Sequence, residues 1–210
     1  MLSYLTIEPH TLELLRYLTE IPLFCKCRLV GGTSLALQYG HRSSIDLDLF
    51  GDIPDEDLLF LDVLNKFGQI GTQKTSRIVK SFIVDGIKVD FVNYSMYPWI
   101  DEPVLEDGLR LASPKDIAAM KTYAIQNRGS RKDFIDMYFL LQHYSLEDIL
   151  VFYSQKYPNY SMFRTRMALT YFEDAEGQEN PKMWMNVEWK TVKETISREV
   201  RRINWNNYIG

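Results

Sequence analysis

The stretch Val30-Gly-Gly-Thr-Ser-Leu-Ala-Leu-Gln-Tyr-Gly-His-Arg-Ser-Ser-Ile-Asp-Leu-Asp-Leu-Phe50 decides the fold. A short strand over residues 27–30 runs into the glycine pair Gly31-Gly32. Residues 33–39 read as a helix, and residues 45–50 as the next strand. Side chains two apart in a strand share a face. Asp46 and Asp48 therefore stand side by side, while Ile45, Leu47 and Leu49 are expected to point into the core. Adjacent carboxylates repel unless a cation stands between them. Magnesium suits such a pair, because it takes carboxylate oxygens, water and substrate phosphates. The alternative is a solvated edge whose acids block strand pairing.

Working outward, residues 9–23 read as an opening helix. Residues 54–67 read as another, with Leu58, Leu61 and Leu64 at helical spacing. Strands are expected over 77–84 and 87–93, joined by the tight turn Asp85-Gly86. Asp90 sits in the second, Ile87-Lys-Val-Asp-Phe-Val92. A neighbouring strand can bring it to the Asp46/Asp48 face. Three carboxylates from two strands can hold two metals, one orienting an attacking hydroxyl and one the triphosphate with its leaving oxygen. The plainer reading of Asp90 is an exposed acid beside Lys88.

After Pro98 the pattern turns helical. Ser113-Pro114-Lys115-Asp116 carries a serine cap, a proline in the first turn and an acid three residues after the cap. That helix is expected to end near residue 127, before Gly129. Further helices are expected over 130–143, 145–157, 161–172 and 187–204, with a mobile loop at 173–182. The expected class is α+β (mixed α/β): a small mixed sheet with flanking helices over 1–100, then a helical domain over 101–210 packing against it.

Composition narrows the function classes. The chain has 210 residues, 46% of them hydrophobic, which suits a globular protein and excludes wholesale disorder. A net charge of -4 argues against an all-over basic coat for nucleic acid but permits a local basic groove. Cys25 and Cys27 are too close for an ordinary disulfide framework, and His10, His41 and His143 offer no zinc spacing. The first residues lack the basic-then-apolar layout of a secretory signal. No stretch approaches the ~20 apolar residues of a membrane span. A soluble cytoplasmic protein with no membrane partner is expected.

The loops around the acidic strand suit phosphate. Gly31 and Gly32 let backbone approach a ligand, and the amides of the next helix start can receive phosphate oxygens. The pair matches neither a P-loop nor the three-glycine dinucleotide pattern. Arg42 can reach a phosphate or brace Asp46, and Ser43 can donate a hydrogen bond. No nucleophile elbow accompanies them. In the helical half, Lys121 and Arg128 share a helix face, and Arg131 and Lys132 follow the break. These cations can neutralise a triphosphate or hold an acceptor's backbone. Equally, Asp116 and Asp133 can be capping acids only.

Four segments, taken together, resemble a known family: Gly31-Gly-Thr-Ser-Leu-Ala-Leu-Gln38, Gly40-His-Arg-Ser-Ser-Ile-Asp-Leu-Asp-Leu-Phe50, Val89-Asp-Phe91, and the run from Ser113-Pro-Lys-Asp to Lys132-Asp-Phe-Ile-Asp136. They look like the AbiEii/AbiGii abortive-infection nucleotidyltransferase toxins, within the DNA polymerase beta-type nucleotidyltransferase superfamily. The resemblance implies that Gly31 and Gly32 form the nucleotide-binding glycine motif. It implies that Asp46 and Asp48 are paired metal ligands and that Asp90 is the third strand carboxylate. Lys121 matches the lysine of the helical half, and Asp133 and Asp136 match its Lys-Asp-x-x-Asp element. The superfamily usually has serine after its first glycine. Gly32 departs from that, and Thr33 offers a hydroxyl one position later. The activity implied is magnesium-dependent transfer of a nucleoside monophosphate from a nucleoside triphosphate to an acceptor hydroxyl, on transfer RNA, by a toxin paired with an antitoxin protein. A non-catalytic nucleotide-sensing module and a metal-dependent nuclease are the alternatives.

Overall fold

The computed structural model describes residues 1–208, and the chain divides into two units. The first holds residues 1–97 and 102–112, the second 98–101 and 113 onward. Unit one contains α1 (Pro9–Glu20), β1 (Arg28–Leu29), α2 (Gly31–Tyr39), β2 (Leu47–Gly51), α3 (Asp57–Phe67), β3 (Ile70–Thr75), β4 (Val79–Val84), β5 (Ile87–Asn93), β6 (Val104–Glu106) and β7 (Leu109–Leu111). The strands form one mixed sheet in the order β3-β4-β5-β2-β1-β7-β6. β2 runs parallel to β5, and β1 parallel to β7. The other pairs are antiparallel.

Alternation makes this sheet two-faced. Leu47 and Leu49 on β2, Phe82 and Val84 on β4, and Val89 and Phe91 on β5 are all buried. They pack with Leu14, Leu15 and Leu18 of α1 and with Phe60 and Leu64 of α3. Phe24, Phe60, Phe82 and Phe91 join in ring contacts there, with centroids as close as 4.5 Å. The residues between, Asp48, Ser81 and Asp90, therefore lie on the opposite, half-exposed face. Asp85 and Gly86 both take positive φ, 48° and 83°, as the expected two-residue hairpin turn requires. Cys25 and Cys27 are free thiols, and burial pushes Cys27 up to about 12.

Some boundaries differ from expectation. β2 starts at Leu47, so Ile45 precedes the ladder and is 59% exposed rather than in the core. α3 starts at Asp57 and buries Phe60 and Leu64. Leu58, two positions before Phe60, lies about 200° round the helix from it, and it is exposed. The edge strand β3 has one bulky apolar residue and no alternation to announce it. β6 and β7 are three residues each, joined by a positive-φ pair at Asp107 and Gly108.

Unit two contains α4 (Pro114–Asn127), α5 (Arg131–Leu140), α6 (Leu146–Lys156), α7 (Met162–Leu169), α8 (Glu173–Glu176) and α9 (Trp189–Arg202). The Ser113 hydroxyl caps α4 by accepting from the Asp116 amide. α4 packs against α5, α6 and α7. The expected loop at 173–182 holds the short helix α8. Arg131 anchors it by donating to the Ala175 and Glu176 carbonyls while its guanidinium stacks on Trp189. Among the described residues, no helix is long and apolar enough to cross a membrane.

A buried ion pair ties residues 98–101 to this unit. The Lys156 ammonium lies 2.7 Å from Asp116, both side chains are fully buried, and the ammonium also donates to the Pro98 carbonyl. Asp116 accepts from the amides of Ile100 and Asp101. Removing one member leaves the other charge buried alone. Asp116→Ala is expected to cost about 3–5 kcal/mol in chemical denaturation; a loss under about 1 kcal/mol would show that the pair is not a buried clamp.

Candidate active site

The β2–β5 register builds the centre. Asp48 pairs directly with Asp90 in the parallel ladder, so both carboxylates leave the same face on neighbouring strands. Asp46 precedes β2 by one residue. It is half-buried like Asp48, with buried Leu47 between them. Of the three acids expected to gather, the ladder thus sets Asp48 and Asp90 on one face, while Asp46 lies just outside it. Their side chains are not drawn into a metal cage: among the described residues, no three His, Cys, Asp or Glu side chains form a group that can hold a metal ion.

Two residues explain how Asp90 is held: Lys88, which the sequence already sets beside it, and Ser81, which the sequence reading does not single out. Ser81 pairs with Asp90 across β4 and β5, and its hydroxyl donates to Asp90 Oδ1 at 2.5 Å. The Lys88 ammonium contacts Asp90 Oδ2. Burial pulls the Lys88 pKa down, but the hydrogen bond and charge of Asp90, with the charges of Asp48 and Asp46, outweigh it and raise the value. The signals were present. Lys88 is two residues from Asp90, and a two-residue turn at Asp85-Gly86 sets Ser81 opposite Asp90.

The glycine pair meets this face. Gly31 has φ +70°, and a Cβ there would lie 2.5 Å from Asp48 Oδ2. Only glycine meets both demands, a left-handed backbone and close approach of the carboxylate. At Gly32, a Cβ would collide with Arg42 Nη2, so the guanidinium fills the volume of the missing side chain. Arg42 is 3% exposed and donates to the Ser43 carbonyl. Thr33 is buried, and its hydroxyl donates to the Asp46 carbonyl, tying the first turn of α2 to the lead-in of β2. Val30 at the N-cap has no polar side chain. The first-turn amides of α2 are therefore uncapped by it, a setting that suits an anion.

Unit two gathers the remaining candidates. Lys121, on α4, lies 3.1 Å from Asp133 and 2.5 Å from Asp136 on α5. Arg128 donates from Nε and Nη2 to the two oxygens of Asp133, and the Ser130 hydroxyl donates to it as well. Burial pushes the Asp133 carboxyl up, but the charge of Lys121 and the hydrogen bonds and charge of Arg128 and Ser130 outweigh it. They hold Asp133 far below the usual carboxylate range. Beside this cluster, a cavity of about 590 Å³ is lined by Arg128, Tyr160, Phe163, Arg164, Met167 and Tyr171, among others. Phe163, Met167 and Tyr171 are exposed there.

Comparison with known proteins follows the same lines. The family described as the nucleotidyl transferase AbiEii toxin, of a type IV toxin–antitoxin system, matches residues 13–209. An uncharacterised protein of Aquifex aeolicus (strain VF5) is 34% identical over 181 residues, covering 82% of this chain and 85% of that protein. Two solved structures share the fold. JHP933 from Helicobacter pylori has a TM-score of 0.61 and 18% identity, covering 95% of this chain and 94% of its own. MenT4, a nucleotidyltransferase toxin from Mycobacterium tuberculosis H37Rv, has a TM-score of 0.56 and 13% identity, covering 94% of this chain and 84% of its own.

The depressed Asp133 has a measurable consequence. A carboxyl whose folded pKa lies below its unfolded value, about 3.9, stabilises fully above that value and loses its contribution as pH falls through the folded one. Asp133→Asn is expected to unfold at lower temperature than wild type at pH 7, with the gap narrowing progressively below about pH 4. A gap that stays constant from pH 7 to pH 3 would contradict this charge arrangement.

Proposed function

The chain belongs to the AbiEii family of nucleotidyltransferase toxins, and we propose that it transfers a nucleoside monophosphate from a magnesium-bound nucleoside triphosphate to an acceptor hydroxyl, with transfer RNA as the acceptor. Enzymatic transfer of a phosphorus-containing group is the family's activity. The observation that supports the finer reading is the parallel register that sets Asp48 beside Asp90, with Asp46 one residue ahead of the same strand.

The residues fit magnesium by donor type and by backbone position. Carboxylates are its preferred protein ligands, and the Lys88 ammonium already set against Asp90 marks the face as one that takes positive charge. Asp46, Asp48 and Asp90 would hold the ion, which when bound would supply charge neutralisation at the attacking and leaving oxygens. The acceptor oxygen attacks the α-phosphorus, and its proton passes to Asp90. The bond from the α-phosphorus to the bridging oxygen breaks, and pyrophosphate leaves with that electron pair. The α2 amides at Gly31, Gly32 and Thr33 receive phosphate oxygens, and Arg42 offers a buried guanidinium at the same turn. Ser43 is the proposed hydroxyl donor.

Lys121, Arg128 and Asp133 enter this reading through family resemblance. Lys121 is the proposed carrier of charge toward phosphate, and Asp133, with Asp136, holds its ammonium in place. Arg128 is the proposed second cation. For the acceptor, the support is the unit-two cavity, where exposed Phe163 and Tyr171 stand near Arg128 and Arg164. Aromatic faces beside guanidinium groups suit the unstacked end of an RNA strand. An antitoxin protein is the proposed regulatory partner, from the family's toxin–antitoxin context.

Labelled nucleotides, magnesium and candidate RNAs test the proposal together with Asp46→Asn and Asp48→Asn. Each substitution keeps size, removes a ligand charge and relieves repulsion between neighbours. Each is expected to lower transfer by roughly a hundredfold or more while the metal-free unfolding temperature stays within about 4 °C of wild type or rises. Wild-type transfer by either variant would reject the metal assignment. An acceptor that becomes shorter instead of heavier would replace transfer with hydrolysis.

A further inference from the structure

We infer that the Lys88 ammonium is a counter-ion of Asp90 and must release it when a divalent cation binds, so that Lys88 sets the metal affinity of the site. The inference rests on the metal reading proposed above and adds a residue that neither the family match nor the motif pattern assigns.

Three observations carry it. First, both oxygens of Asp90 are engaged: Ser81 donates to Oδ1, and Lys88 contacts Oδ2. A metal ligated by Asp90 needs at least one of them. The Ser81 hydroxyl is neutral, and a carboxylate oxygen has lone pairs for both a hydroxyl and a metal. The ammonium brings like charge to the same carboxylate, and Coulomb repulsion from a bound divalent ion works to displace it. Second, Asp48 stands directly beside Asp90 in the parallel ladder, so the ammonium faces more than one carboxylate. The charges of Asp48 and Asp46 act on the ammonium as well as that of Asp90. Third, Lys88 can leave. Its side chain is 46% exposed, against 17% for Asp90, and it has a four-carbon stem that can turn to solvent.

The energetic order follows from charge. An ion of charge two interacts with the same carboxylates about twice as strongly as an ammonium at equal distance, and it draws them together. The ammonium competes from a tether, so its effect is to weaken metal binding by a modest, constant factor. In return, the acids are partly neutralised before the metal arrives.

Calorimetric titration of the full chain with manganese(II), with thermal unfolding in the presence and absence of that ion, tests the exchange. Lys88→Met keeps the stem and removes the charge; Lys88→Arg keeps the charge. Lys88→Met is expected to bind manganese roughly two- to fivefold more tightly than wild type, the factor a half-exposed ion pair is worth. It should also unfold at a lower temperature without metal and gain more from metal. Lys88→Arg should bind no more tightly than wild type. Wild-type affinity in Lys88→Met, with or without a change in metal-free stability, would overturn the exchange and leave the metal site standing. Absence of manganese binding in wild type would overturn both.

Discussion

Like charges on adjacent strands repel, and the parallel pairing of β2 with β5 places two of them, Asp48 and Asp90, directly opposite each other. The pairing is enforced from the other face. Leu47, Leu49, Val89 and Phe91 are buried against α1 and α3, and a one-residue slip would turn the acids into that core. Hydrophobic burial on one side thus holds an electrostatically unfavourable arrangement on the other. Ser81 and Lys88 answer it locally, by hydrogen bond and by charge.

The same face makes demands on its surroundings. Gly31 takes a left-handed φ and leaves no room for a Cβ beside Asp48, while Gly32 leaves its side-chain volume to Arg42. A helix starting with two glycines is a poor helix by propensity. That local departure coincides with an uncapped helix start, a buried guanidinium and a set of carboxylates, which is where departures from local rules are expected to serve function. In unit two, the buried charges are arranged differently. Lys156 with Asp116, and Lys121 with Asp133 and Asp136, are close pairs of opposite sign. The first fastens residues 98–101 to the helices.

Much of this was legible before any coordinates. Alternation at Leu47-Asp48-Leu49, the Asp85-Gly86 turn and the serine cap at Ser113 are local signals, and the structure follows them; the same pattern at Ser130 also starts a helix, but there the hydroxyl donates to Asp133 instead of capping an amide. The glycine pair and the acidic strand were also legible, because each rests on residues close in sequence. Legibility failed where the deciding contact is distant. Ile45 reads as a core residue until the ladder is seen to begin at Leu47. Leu58 keeps step with Leu61 and Leu64, yet the sheet selects Phe60 and Leu64. β6 and β7 are too short to show a period. Ser81 looks like an ordinary strand residue, because its role appears only when the hairpin register sets it opposite Asp90.

The central claim is that Asp46, Asp48 and Asp90 form one metal-binding face for a nucleoside triphosphate. Its most direct test is a crystal structure of the full chain with manganese(II) and a non-hydrolysable nucleoside triphosphate analogue, with the metal located by anomalous scattering. The account predicts an anomalous peak within about 2.0–2.3 Å of carboxylate oxygens from these three acids, with Lys88 turned away from Asp90. A bound nucleotide with the metal on other residues, or with Lys88 still holding Asp90, would contradict it.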